Sequence, residues 1–113
     1  MEELKRDNLF SGMFPVVTEG ATISAGQTIK RGDVLVKNQE SKNYEKATAV
    51  VTANDVVAIA AEDVITTEET AVTVVYKTGE FNSNKINFGG ASTLEDNKDI
   101  LESKSIYLKR VNE

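Results

Sequence analysis

Histidine, cysteine and tryptophan are all absent from this 113-residue chain. The common zinc ligands, the thiol nucleophile and the usual neutral-pH general base are therefore missing together, which excludes most familiar catalytic mechanisms. Lack of cysteine also removes any disulfide framework, so nothing marks an oxidising compartment. No Asn-x-Ser/Thr sequon occurs, and proline appears once, at Pro15. No apolar run approaches the roughly 18 residues that a membrane span needs. The opening "MEELKRDNLF" is charged and then mixed, unlike the basic-then-apolar start of a signal peptide. These absences predict a soluble, unexported protein with no membrane partner.

An excess of positive charge is lacking too. Eighteen acidic against thirteen basic side chains give a formal charge of −5. That balance opposes attraction to a phosphate backbone, and the lysines are scattered, so no nucleic-acid partner is expected. A chain of this length supports one domain, burying roughly two-thirds of the surface its unfolded form exposes.

What is present reads as short strands. Residues 1 to 16 form a candidate N-terminal arm, and 17 to 113 the domain. The arm has no sustained hydrophobic period, yet Leu9, Phe10, Met13 and Phe14 are large and apolar just before Pro15. Such a segment suits docking on another surface, and the alternative is a short first helix over "EELKRDNLF". From Val16 onward Gly20, Gly26 and Gly32 punctuate β-branched residues at six-residue intervals, which predicts tight turns between strands. In "DVVAIAAEDV" alanine blurs the distinction between helix and strand, but Val56, Val57 and Ile59 favour a buried strand.

The run "AVTVVYK" alternates, with Val72, Val74 and Tyr76 on one face and Thr73, Val75 and Lys77 on the other. Thr78 and Gly79 then read as a hairpin turn, with "EFNSNKINF" returning as the next extended segment. Tyr76, Gly79 and Phe81 are the candidate structural residues of that hairpin, with Gly79 at positive φ and the Phe81 ring in the core. Ser92-x-x-Glu95 has capping-box spacing before Leu94 and Leu101, which predicts one short helix near the C-terminus. "SIYLKRV" closes the chain as a strand. The fold class expected is mainly β (α+β), a single small domain with one short helix.

No catalytic, cofactor-binding or metal-binding constellation emerges. The tripeptide Arg31-Gly32-Asp33 is accounted for by a turn before the strand "VLVKN". "DNKDILE" lacks the glycine and the spacing of a calcium loop. Glu68 and Glu69 would point to opposite faces of a strand rather than act as a pair. "TIKRGDVLV" and "YEKA" resemble the turn-strand and acceptor turn of biotinyl and lipoyl carrier domains, which would make Lys46 the modified lysine.

More specific is the order "VVAIAAEDV", a Thr-rich link, "TAVTVVYKTGEFN", a helix-capable stretch and "SIYLKRV". This resembles the head decoration protein family of tailed bacteriophages, in which an apolar strand leads through acidic and Thr-rich residues to "YKSG-x-F" or a close relative. Tyr76, Lys77, Thr78, Gly79 and Phe81 stand in those places. The likeness covers residues 56 to 110 well and is looser upstream. It implies a mostly β domain, assembled as a homotrimer on threefold positions of the exterior of an icosahedral head. Its partner would be the major capsid protein, its task clamping rather than catalysis, and its site of synthesis the host cytoplasm. No cofactor is implied. A biotinyl/lipoyl-type carrier domain, or another virion assembly or binding module, is the alternative.

Overall fold

The computed structural model describes residues 16–90 and 92–109. Leu9, Phe10, Met13 and Phe14 lie outside the described residues. Among the described residues, eight strands and one α-helix follow in the order β1 (Val17–Ile23), β2 (Thr28–Ile29), β3 (Val34–Lys37), β4 (Tyr44–Lys46), β5 (Val57–Ala60), β6 (Val64–Ile65), β7 (Ala71–Asn82), α1 (Leu94–Ser103) and β8 (Ile106–Lys109). A single 3-10 turn, Ser83–Lys85, follows β7. The mainly β class with one short C-terminal helix agrees with the sequence expectation.

Backbone pairing runs from β1 to β4, β3, β5 and β7, and β7 pairs back with β1, so five strands close a ring. The β1–β4 step is parallel and consists of Ile23 against Tyr44 alone; the other steps are antiparallel. A ring of so few strands has a narrow interior that side chains fill, some of them small. The inner cluster accordingly contains Ala21, Ala58 and Ala60 beside Ile23, Leu35, Tyr44 and Val75. This explains the alanines that blur "DVVAIAAEDV": they line the inside of a strand. The β2–β6 pair adds Ile29 and Val64 to the same cluster.

The second cluster lies on the outer side of β3, β5 and β7. Val34, Val57, Ile59 and Phe81 meet Leu101 of α1 and Ile106 and Leu108 of β8 there. Strands β3 and β5 thus bury both faces, while one side of the ring is covered by the β7–α1–β8 unit, in which β7 and β8 are parallel. Parallel neighbours need a long crossover, and α1 supplies it. The helix is capped by Thr93 rather than Ser92. Asp96 N–H donates to Thr93 Oγ1 and Thr93 N–H donates to Asp96 Oδ2 at 3.0 Å, so the expected box exists one residue downstream. Ser92 serves otherwise: its Oγ accepts from Asn97 Nδ2 and donates to Gly89 O.

The expected hairpin at Thr78 and Gly79 is absent. β7 runs unbroken for 12 residues, and what changes at this point is its partner. Through Thr78 it pairs with β1, and from Gly79 onward with β8. Thr18 is opposite Tyr76 but Val17 is opposite Thr78, so Lys77 is an extra residue, a β-bulge that bends the strand where it leaves the ring. Gly79 does have positive φ (+153°), and its N–H donates to Ser105 O at 3.1 Å. Phe81 is fully buried, as expected. Glycine and phenylalanine therefore serve a change of partner instead of a reversal of the chain.

Candidate interaction surface

Among the described residues, the cover formed by α1 and β8 does not extend over the outer side of the β1–β7 ribbon. Residues alternate across it, so Ala21, Ile23, Thr73 and Val75 point inward and are buried, while Val72 and Val74 point outward. Val72 is 79% exposed and Val74 43%. Their cross-strand neighbours are Thr22 and Gly20, and Gly20 has nothing within 4 Å of where a Cβ would stand. Val16 and Val17, 43% and 50% exposed, continue the apolar character to the start of β1. The polar Thr73 is among the buried residues, and its hydroxyl donates to Glu62. Alternation was visible in the sequence, but which face is covered depends on where α1 and β8 lie. The signal available was that "AVTVVY" carries valine on both faces.

Tyr76, Gly79 and Phe81 converge at one end of this ribbon. The Tyr76 and Phe81 rings are 5.9 Å apart, and a Cβ on Gly79 would lie 3.1 Å from Phe81 Cζ and 3.4 Å from Val16 Cγ2. Val17 N–H donates to Thr78 Oγ1 at 3.2 Å. The described chain therefore begins against the point where β7 changes partners, beside the exposed valines.

Two polar groupings went unnoticed in the sequence. Asp33, 1% exposed, accepts from Lys30 N–H and Asn87 Nδ2 at 2.8 Å each, with Lys46 Nζ at 3.7 Å. These bonds hold the turn before β3 against Asn87. Lys46 belongs to a strand paired with Leu35, with its ammonium beside Asp33, and not to the tip of a hairpin turn, which removes the basis for the carrier reading. At the other end of the ring Lys77 Nζ donates to Tyr44 Oη at 2.9 Å, and Lys37 and Lys77 sit 5.9 and 5.5 Å from the centre of that ring. Among the described residues no group of three or more acidic side chains is placed to hold a metal ion.

A small five-stranded ring with a parallel β-α-β cover and a ribbon bearing the exposed Val72 and Val74 defines a β-barrel module with a surface suited to protein contact. The chain belongs to the family described as bacteriophage lambda head decoration protein D, which matches residues 6–104. That match reaches upstream of the resemblance at residues 56 to 110, through the first half of the domain and into the segment before Val16, and it ends before the closing "SIYLKRV". No curated protein matches the chain. Membership supports a structural, capsid-decorating role and a place on the phage head.

Proposed function

We propose that this protein binds the outer surface of the expanded phage head as homotrimers at threefold positions, and stabilises the shell against the pressure of packaged DNA. The family match over residues 6–104 carries this reading. Two features of the domain favour it. The exposed Val72 and Val74 give a surface on which copies can meet. The exposed Val16 and Val17, where the described chain starts, lie beside Gly79 and continue the apolar surface.

Residues 1 to 16 act in this scheme as the capsid-binding arm. Leu9, Phe10, Met13 and Phe14 fill apolar hollows on the major capsid protein, while Pro15 separates the arm from β1. Each arm binds weakly because ordering costs conformational entropy, but arms tied together in one trimer act at high effective concentration, so occupancy is tight. A protein with net charge −5 is kept off exposed DNA by the same balance that keeps it soluble.

The test is a chain beginning at Val16, mixed with expanded shells that lack the protein. The full chain is expected to bind and to raise the shells' disruption temperature, and the truncated domain to fold but fail to bind. Equal binding by the two would remove the arm from the mechanism.

A further inference from the structure

The ring is open at one seam. On one edge β1 pairs with β7 along its whole length, Val17 to Ile23. On its other edge it meets β4 only at Ile23 opposite Tyr44, where Ser24 N–H donates to Tyr44 O at 3.0 Å. Successive residues of a strand direct their amides to opposite edges. The same parallel bridge joins Tyr44 N–H to the Thr22 C=O, whereas the Thr22 N–H and both backbone groups of Gly20 point the same way and meet no described partner.

They face a cleft of about 380 Å³ with Glu19 to Thr22 on one bank and Lys37, Lys42 and Tyr44 on the other. Lys77 stands at the Tyr44 hydroxyl. No described carboxylate lies within ion-pair distance of Lys37, Lys42 or Lys77; the described ion pairs are Lys46 with Asp33 and Lys98 with Glu102. The cleft lining holds one acid, Glu19, against two lysines, Lys37 and Lys42, so it is net positive on a chain whose total charge is −5.

We propose that this seam is a binding site for an extended, acid-rich segment of a partner polypeptide, which adds as a strand to the open edge of β1. The main chain of the segment pairs with both backbone groups of Gly20 and with the Thr22 N–H, and its carboxylates meet Lys37 and Lys42 with Lys77 beside them. A strand edge offers donors and acceptors in alternation, a pattern that a peptide backbone matches and a phosphate, which only accepts, does not. Gly20 contributes no side chain to obstruct the approach. The site belongs to the isolated domain, so it stands or falls separately from the shell reading above.

The probe is an acetylated, amidated hexapeptide of alternating threonine and glutamate, titrated into the full-length, isotope-labelled protein. Saturable shifts of the Gly20 and Thr22 amides are expected. Lys37→Gln combined with Lys42→Gln should weaken binding about three- to tenfold, as two exposed charge pairs would. A peptide with lysine in place of glutamate should not bind, and neither should one N-methylated at alternate residues, a change that leaves the protein's own fold untouched. The competing account is that the lysines merely guard an open edge against self-pairing. Absence of saturable shifts at Gly20 and Thr22 would overturn the proposal, as would unchanged affinity in the double variant. Tighter binding of single-stranded oligothymidylate at the same amides would overturn it as well.

Discussion

The rings of Tyr76 and Phe81 touch at 5.9 Å and 49°, although they stand five positions apart on one strand. In a regular strand, positions an odd number apart face opposite sides. The extra residue at Lys77 inverts the alternation between them, so both rings reach the outer cluster. The same bulge re-aims Lys77 toward Tyr44 Oη. Two consequences of one inserted residue thus tie the cover of the domain to the mouth of its ring.

Gly79 is the position on which this arrangement is least forgiving. It combines φ of +153° with a Cβ direction that meets Phe81 Cζ at 3.1 Å. The Gly79→Val variant should lose about 1–3 kcal/mol, from backbone strain and displacement of the ring. Phe81→Ala should lose more, about 3–5 kcal/mol, because the ring is wholly buried. Denaturant melts of both variants check the order, and a Gly79→Val protein as stable as the parent would contradict it.

Asn97 fixes the segment before β5 to the helix. It is 1% exposed, accepts from Val51 N–H at 3.0 Å and donates to Thr93 O at 2.7 Å and Ser92 Oγ at 3.2 Å. Asn97→Leu keeps the volume but leaves the buried Val51 amide without its acceptor. A loss of about 1–3 kcal/mol is expected, together with faster hydrogen exchange at the Val51 amide. Slow exchange there in the variant would show that another group holds the segment.

Gly89 packs directly on the backbone of the same segment. A Cβ there would stand 2.7 Å from Ala47 C, Ala47 O and Ala49 N. Main chain cannot rotate away as a side chain can, so Gly89→Ala should cost about 1–3 kcal/mol despite adding a single methyl group. Thermal melts measure this directly, and a neutral result would mean that the 47–49 backbone yields freely.

Several strands were legible because β-branched residues mark them locally, as in "VVAIAAEDV" and over Ile106–Lys109, whereas β4 was not, because Tyr44–Lys46 lies in a polar run with no such signal. The helix was legible from its cap chemistry to within one residue, since Ser92 and Thr93 are both competent and only packing decides between them. The role of Thr78 and Gly79 was not legible. A glycine after an alternating run has the same local signature whether the chain reverses or exchanges one neighbouring strand for another. The latter depends on β8, some 27 residues further along by register (Gly79 opposite Ile106). The open seam was hidden likewise, because Gly20, Lys37 and Lys42 meet only when the ring closes.

The apolar ribbon gives the last prediction. Val72 and Val74 have no covering element among the described residues, yet β-branched side chains there favour the strand in any case, so exposure alone does not establish a contact. Propensity and contact are separable by substitution. Val74→Thr preserves the branched shape, and Val72→Glu places a charge at a position 79% exposed, so together they should change the stability of the domain by no more than about 0.5 kcal/mol per site. If copies meet through this ribbon, a glutamate buried there without a partner charge opposes assembly strongly. The double variant should therefore melt like the parent while losing the trimer in light scattering, and while leaving expanded shells unoccupied. A variant that still assembled and still decorated shells would place the contact between copies elsewhere on the ring.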